Sequence, residues 1–217
     1  MEIKAIIFDL DGVLVHTDHY HYKAWKEVAD KNQLNFDEQM NHLLRGVSRE
    51  ESLNIILSKN NAHFSLDQKR VIIKEKNNIY KKLILQMKEE DVDSKVKETL
   101  LELKKVGFQL AIGSSSKNTK TILKQTNLIS LFDAICDGTM IKKSKPDPEV
   151  FLKAAKLLHK EPFYCIVVED AIAGIQAGKG AGMLTIAVGD ASQNKVGDFN
   201  ITDFTEIKTI LTPNQNI

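Results

Sequence analysis

A short apolar run that ends in two carboxylates constrains this chain more than any other stretch. Ala5, Ile6, Ile7 and Phe8 lead into Asp9-Leu10-Asp11-Gly12. An unbroken apolar tetrad suits a strand buried on both faces, as the strands of a parallel sheet are. On an extended backbone Asp9 and Asp11 point to the same side, roughly 6.6 Å apart along the strand. Two such anions are costly to bury without partners, so a cationic group is expected between them. The motif alone leaves other readings open. A calcium loop would place its third ligand at Val13 and an acidic residue at Tyr20, and both positions are wrong for it. A polar turn after a strand remains an alternative.

The rest of the chain supplies the context. Residues 17 to 88 are helical in pattern: Tyr22, Trp25, Val28 and Ala29, then Met40, Leu43 and Leu44, then Leu53, Ile56 and Leu57, then Ile72, Ile79, Tyr80 and Leu83 recur at helical spacing with no strand pattern between them. From residue 95 helices and strands alternate. Strands are predicted at 109–114, 134–137, 164–168 and 183–188, and helices at 95–106, 116–127, 148–159, 171–181 and 205–211. This order predicts an α/β fold with a doubly wound, mostly parallel sheet over residues 1–16 and 89–217. An all-helical cap over 17–88 interrupts it, with the polar stretch 88–94 as exit linker.

Of the 217 residues, 30 are Lys or Arg and 29 Asp or Glu, a net charge of +1 that offers no general attraction to nucleic acid or to an anionic membrane. Cys136 and Cys165 lie far apart in apolar runs, which suggests reduced, buried thiols of a cytoplasmic protein. No apolar run reaches the roughly 18 residues of a membrane span, and residues 1–8 are too short for a signal sequence. No long apolar stripe asks for a partner, so a monomer is expected.

Polar residues cluster where the predicted strands end: Asp9 and Asp11, then Ser114, then Glu169 and Asp170, with Lys145 in the loop after the third strand. Ligands bind beyond the carboxyl ends of strands in such sheets, and this set suits a phosphate with a divalent cation. Asp9 and Asp170, with the backbone carbonyl of Asp11, are hard oxygen ligands for magnesium, and Glu169 is placed to hold one of its waters. Asp9 is the candidate nucleophile and Asp11 the general acid and base. Lys145 would offset the anionic charge and Ser114 would hydrogen-bond a phosphoryl oxygen. Singly, each has a plainer explanation. Ser114, Ser116 and Asp170 suit helix caps, and Lys145 has solvated neighbours in Lys142 and Lys143. Their joint occurrence after successive strands is harder to explain that way.

Through Asp9-Leu-Asp-Gly, the strand ending in Ser114, Lys145-Pro146 and Glu169-Asp170, in that order, the chain resembles the haloacid dehalogenase superfamily of phosphotransferases. Over nearly its whole length, inserted helices included, it is similar to the hexose phosphate mutases of that superfamily. Arg45-Gly-Val-Ser-Arg-Glu-Glu-Ser52 resembles their substrate-specificity loop and Ser114-Ser-Ser-Lys-Asn118 their phosphate loop. The resemblance implies that Arg45, Gly46, Val47 and Arg49, with Ser115, Ser116, Lys117 and Asn118, bind a sugar phosphate, and that His21 and Lys76 face the substrate from the cap. Ser48 is also expected to form a capping box with Glu51. It further implies Mg2+, a priming activator in β-glucose 1,6-bisphosphate, and interconversion of β-glucose 1-phosphate and glucose 6-phosphate. A sugar-phosphate phosphatase and a catalytically silent sugar-phosphate sensor are the alternatives. Arg45 stands where the pattern has Lys, and His16 and His19 where acidic residues are usual. Arg45 therefore presents a planar fork instead of an ammonium.

Overall fold

The computed structural model describes residues 2–44 and 47–212. In chain order the elements are β1 (Ala5–Phe8), α1 (Asp18–Lys31), α2 (Glu38–His42), α3 (Arg49–Lys59), α4 (Leu66–Ile84), α5 (Ser94–Lys105), β2 (Gln109–Gly113), α6 (Thr119–Gln125), β3 (Ala134–Cys136), α7 (Glu149–Leu157), β4 (Cys165–Glu169), α8 (Ile172–Gly180), β5 (Leu184–Ala187), α9 (Gly189–Gln193), β6 (Phe199–Asn200) and α10 (Glu206–Leu211). They fall into two compact units, Met1–His16 with Lys88–Ile217, and Thr17–Met87. Lys88 thus groups with the first unit. The stretch after it carries a one-turn 3-10 helix, Glu89–Asp91.

The first unit is built on six parallel strands in the order β3-β2-β1-β4-β5-β6. All strands run the same way, but the order in which they are added reverses between β1 and β4, the kind of crevice where ligands settle in open α/β sheets. β1 is wholly buried, as its apolar tetrad requires. Its Ile7 packs in one core with Ala111 of β2, Val167 of β4, and Val150, Phe151 and Ala154 of α7. Phe8 pairs with Ile112 on one side and Val168 on the other, so Asp9, Gly113 and Glu169 leave their strands side by side.

Three details depart from the sequence reading. β1 stops at Phe8, and Gly12 turns the backbone at φ +84° while its N–H donates to Val15 O at 2.7 Å. The continuous extended backbone expected through Asp11 is therefore not present. The sixth strand was not expected, because Phe199 and Asn200 form a two-residue exposed edge with no apolar periodicity. Helix α6 begins at Thr119 and not at 116, because the serine hydroxyls before it bond to backbone N–H groups and hold a turn.

The second unit contains helices α1 to α4 around Trp25, Val28, Leu53, Ile56, Leu57 and Ile72. Ser48 caps α3 by accepting the Glu51 N–H, and Ser65 with Gln68 forms a full capping box on α4. Among the described residues, no helix is long and apolar enough to cross a membrane.

Because Ile7 is completely enclosed at the centre of the sheet, Ile7→Ala should destabilise the protein by about 2–5 kcal/mol. Urea unfolding followed by circular dichroism reads this directly, and a loss below about 1 kcal/mol would contradict the packing described.

Candidate active site

Two carboxylates and one ammonium form the centre of the α/β unit. Asp9 leaves β1 with its N–H donating to Val168 O at 2.9 Å, which sets it beside Glu169 at the end of β4. Both are buried, at 7% and 1% exposure. Lys145 arrives from the loop between β3 and α7. Its Nζ donates to Asp9 Oδ1 at 2.5 Å and to Glu169 Oε1 at 2.7 Å. It also lies 4.7 Å from the centroid of the Phe151 ring. Glu169 Oε2 accepts the Ala171 N–H at 2.7 Å, so this carboxylate is satisfied on both oxygens.

Asp170 completes the group. Ligand oxygens of Asp9, Glu169 and Asp170 lie within 4.8 Å of one another. Among the described residues the Asp170 carboxylate has no hydrogen bond or ion pair, although its backbone carbonyl accepts the Ala191 N–H at 2.8 Å. Two glycines make room for these side chains. A Cβ on Gly12 would stand 2.1 Å from Asp170 Oδ2, and one on Gly174 would stand 1.9 Å from Glu169 Oε1. Gly174 and Phe151 are the residues that sequence reasoning missed. One lies in a helix that reads only as small-residue-rich, and the other reads only as core.

The charges do not balance. Burial raises the Asp9 carboxyl to about 7 against the opposing pull of Lys145, with Glu169 and Asp11 adding to the rise. Burial, then Glu169 and Asp9, raises Asp170 to about 9. For Lys145 burial works against the ammonium, but Asp9 and Glu169 outweigh it and hold its pKa above the ordinary lysine value. Three neighbouring carboxylates served by one ammonium leave room for a divalent cation with oxygen ligands. Asp9, Glu169 and Asp170 are the side chains that fit it. The Asp11 carboxylate is outside that oxygen cluster, but its charge is felt by both other aspartates.

The serine loop occupies the neighbouring strand end. Ser114 follows β2, with its N–H donating to Cys136 O at 3.1 Å, and its hydroxyl accepts the Ser116 N–H at 3.1 Å. Ser116 in turn caps Asn118 N at 3.2 Å, and its carbonyl accepts from Gly138 N at 3.0 Å. Among the described residues Ser115 Oγ is buried with no hydrogen-bond partner, Asn118 is buried, and Lys117 is exposed. Ser114 to Asn118 therefore lie together at the strand end next to Asp9.

In the helical unit His21, Lys76 and Arg49 form a second cluster. Lys76 is 1% exposed, and its Nζ lies 2.8 Å from His21 Nδ1 and 4.7 and 5.2 Å from the ring centroids of Tyr80 and Trp25. Burial, followed by the charges of Lys76 and Arg49, pushes the His21 pKa well down. Burial also lowers the pKa of the Arg49 guanidinium at the start of α3. Val47 is exposed, and Arg45 and Gly46 lie outside the described residues.

The family model for haloacid dehalogenase-like hydrolases matches residues 6–188. The chain belongs to this family. Within the haloacid dehalogenase-like hydrolases it is 42% identical to a β-phosphoglucomutase of Bacillus subtilis over 189 residues, covering 86% of this chain and 84% of that one. It is 29% identical over 184 residues to a phosphorylated carbohydrates phosphatase of Thermotoga maritima, covering 83% and 82%. A crystal structure of β-phosphoglucomutase from Clostridium difficile superposes with a TM-score of 0.88 at 37% identity, over 95% of this chain and 93% of the other.

The carboxylate cluster gives a prediction about pH. Asp9 and Asp170 have folded pKa values of about 7 and 9, above their unfolded values, so in cation-free protein their contribution to stability falls as pH rises from about 4 through those values. A bound divalent cation removes the penalty. The rise in thermal midpoint on adding millimolar MgCl2 should therefore be small at pH 5 and larger at pH 8.5. Equal gains at both pH values by scanning calorimetry would show that the cation binds elsewhere.

Proposed function

We propose that this protein is a magnesium-dependent β-phosphoglucomutase, interconverting β-glucose 1-phosphate and glucose 6-phosphate. The observation that carries this reading is Asp9, buried at the tip of the central strand, held by Lys145 and flanked by Glu169 and Asp170. The 42% identity to a β-phosphoglucomutase supports the choice of substrate.

A carboxylate that attacks a phosphate dianion is repelled by it. At about 4 Å and an effective dielectric near 20, each unit of charge costs roughly 4 kcal/mol, so a dianion costs about 8. That corresponds to nearly six powers of ten in rate. Lys145 opposes this repulsion from the Asp9 oxygen it already touches. A magnesium ion held by Asp9, Glu169 and Asp170 would supply the remaining positive charge. Asp9 attacks phosphorus and the bond from phosphorus to the sugar oxygen breaks. Asp11 gives that oxygen a proton in one half-reaction and removes a proton from the accepting hydroxyl in the other. Ser114 holds a phosphoryl oxygen, while Ser116, Lys117 and Asn118 are assigned to the sugar phosphate and its non-reacting phosphate.

A mutase must also bind a second phosphate, because its intermediate is β-glucose 1,6-bisphosphate, which also serves as priming activator. Arg49 with Gly46, Val47 and Arg45 are assigned to this non-reacting phosphate and its sugar, and His21 and Lys76 to substrate contacts of the helical unit. Binding energy from that remote phosphate can be used to exclude water from the phosphorylated Asp9. Hydrolysis is the second reading, favoured by the similarity to a phosphorylated carbohydrates phosphatase.

Phosphorus NMR with β-glucose 1-phosphate, MgCl2 and a trace of the bisphosphate separates the two. Glucose 6-phosphate should form faster than inorganic phosphate, Asp9→Asn should abolish both, and Lys145→Ala should slow turnover by about 10²–10³-fold. Arg49→Ala should lower mutase turnover and raise the share of free phosphate. Phosphate release without isomerisation would make the protein a phosphatase.

A further inference from the structure

The loop that delivers Lys145 is irregular between β3 and α7, yet Nζ must reach two buried carboxylates at once. Helix α7 holds this loop from outside the site. Glu149 Oε2 accepts the N–H groups of both Lys142, at 2.9 Å, and Lys143, at 2.8 Å. Glu149 Oε1 accepts from Lys153 Nζ at 2.5 Å, and the same ammonium donates to Met140 O at 2.6 Å. One ion pair on α7 thus fixes three backbone groups across residues 140 to 143. Asp147 closes the other side: its N–H donates to Ser144 O at 3.1 Å and its Oδ1 accepts Glu149 N–H at 3.0 Å.

Lys143 is two residues from Lys145, so pinning its amide confines the Lys145 Cα to a span of at most about 7 Å. Phe151, two residues along α7 from Glu149, supports the Lys145 ammonium at its ring face. From this geometry we infer that Glu149, clamped by Lys153, is a positioning residue that sets Lys145 between Asp9 and Glu169 without touching the reacting groups itself. Lys153 and the two amides hold the Glu149 carboxyl down to about 2. Lys142 and Lys143 read as solvated charge in the sequence, but their backbone N–H groups are spent on this grip.

The inference rests on the role of Lys145 given under the proposed function, and a double-mutant cycle tests it. Glu149→Ala should lower kcat by about tenfold or more, with KM within about twofold. The exposed neighbour variant Lys156→Ala should leave both unchanged. In a Lys145→Ala background Glu149→Ala should cost less than about twofold, because the residue it positions is gone. Losses that multiply, or parental turnover in Glu149→Ala, would overturn the clamp. If Glu149→Ala fails to fold, Lys153→Met carries the same cycle, with a loss in the same direction. If the parent does not turn over hexose phosphates, the proposed function fails while the clamp is still decided by NMR. Lys142 and Lys143 amides should be protected from exchange in the parent and exposed in Glu149→Ala, and the Lys145 ammonium resonance should move. Unchanged exchange and an unmoved resonance would reject it.

Discussion

A single ammonium shared between two buried carboxylates is the interaction on which the α/β unit depends. Desolvating three charges is costly, and such a triad seldom adds net stability. It persists because the sheet leaves it little choice. The parallel register sets Asp9 and Glu169 side by side, β1 and β4 are buried throughout, and Phe151 lies beneath the Lys145 Nζ. Breaking the contact would leave two carboxylates buried together with less compensation than they have. The apolar core therefore stabilises a polar arrangement that opposes folding.

That same arrangement explains why the glycines nearby are not interchangeable with alanine. Gly12 and Gly174 are close to carboxylates and not to apolar side chains, with ideal Cβ positions 2.1 and 1.9 Å from Asp170 Oδ2 and Glu169 Oε1. A methyl group there would displace a charged oxygen from a site whose electrostatics depend on angstrom-scale distances. Gly12 carries the further demand of φ +84°, which turns the chain out of β1 immediately after the carboxylates.

Much of this was legible in the sequence, for reasons that also mark the limits. Central parallel strands read as apolar runs, so β1, β2, β4 and β5 stood out, and the charges that follow β1 and β4 were anomalous enough to mark a candidate site. Edge strand β6 has two exposed residues and gave no signal. The start of α6 was misplaced because Ser114 and Ser116 bond to the backbone locally, a competition that propensity alone does not resolve. Lys145 was harder to single out than Asp9, since Lys142 and Lys143 make it look like part of a solvated run. What separates them is a contact spanning 136 residues, which no local pattern reports. His21 and Lys76, 55 residues apart, were reached through family resemblance and not through spacing.

The raised carboxyl of Asp9 gives a physical reason for the cation that the sequence suggested. A nucleophile gains from being dry, because water that could intercept its phosphate is excluded. Yet the burial that dries Asp9 also raises its pKa to about 7, which works against the ionised carboxylate that the proposed attack needs. Lys145 alone does not reverse this, because it is shared with Glu169 and Asp170 adds further negative charge. Asp9 can be both dry and ionised only if more positive charge enters its surroundings. For this reason the oxygen cluster of Asp9, Glu169 and Asp170 and the proposed reactivity of Asp9 are one problem: the residues that would hold a cation are also those whose mutual repulsion calls for one.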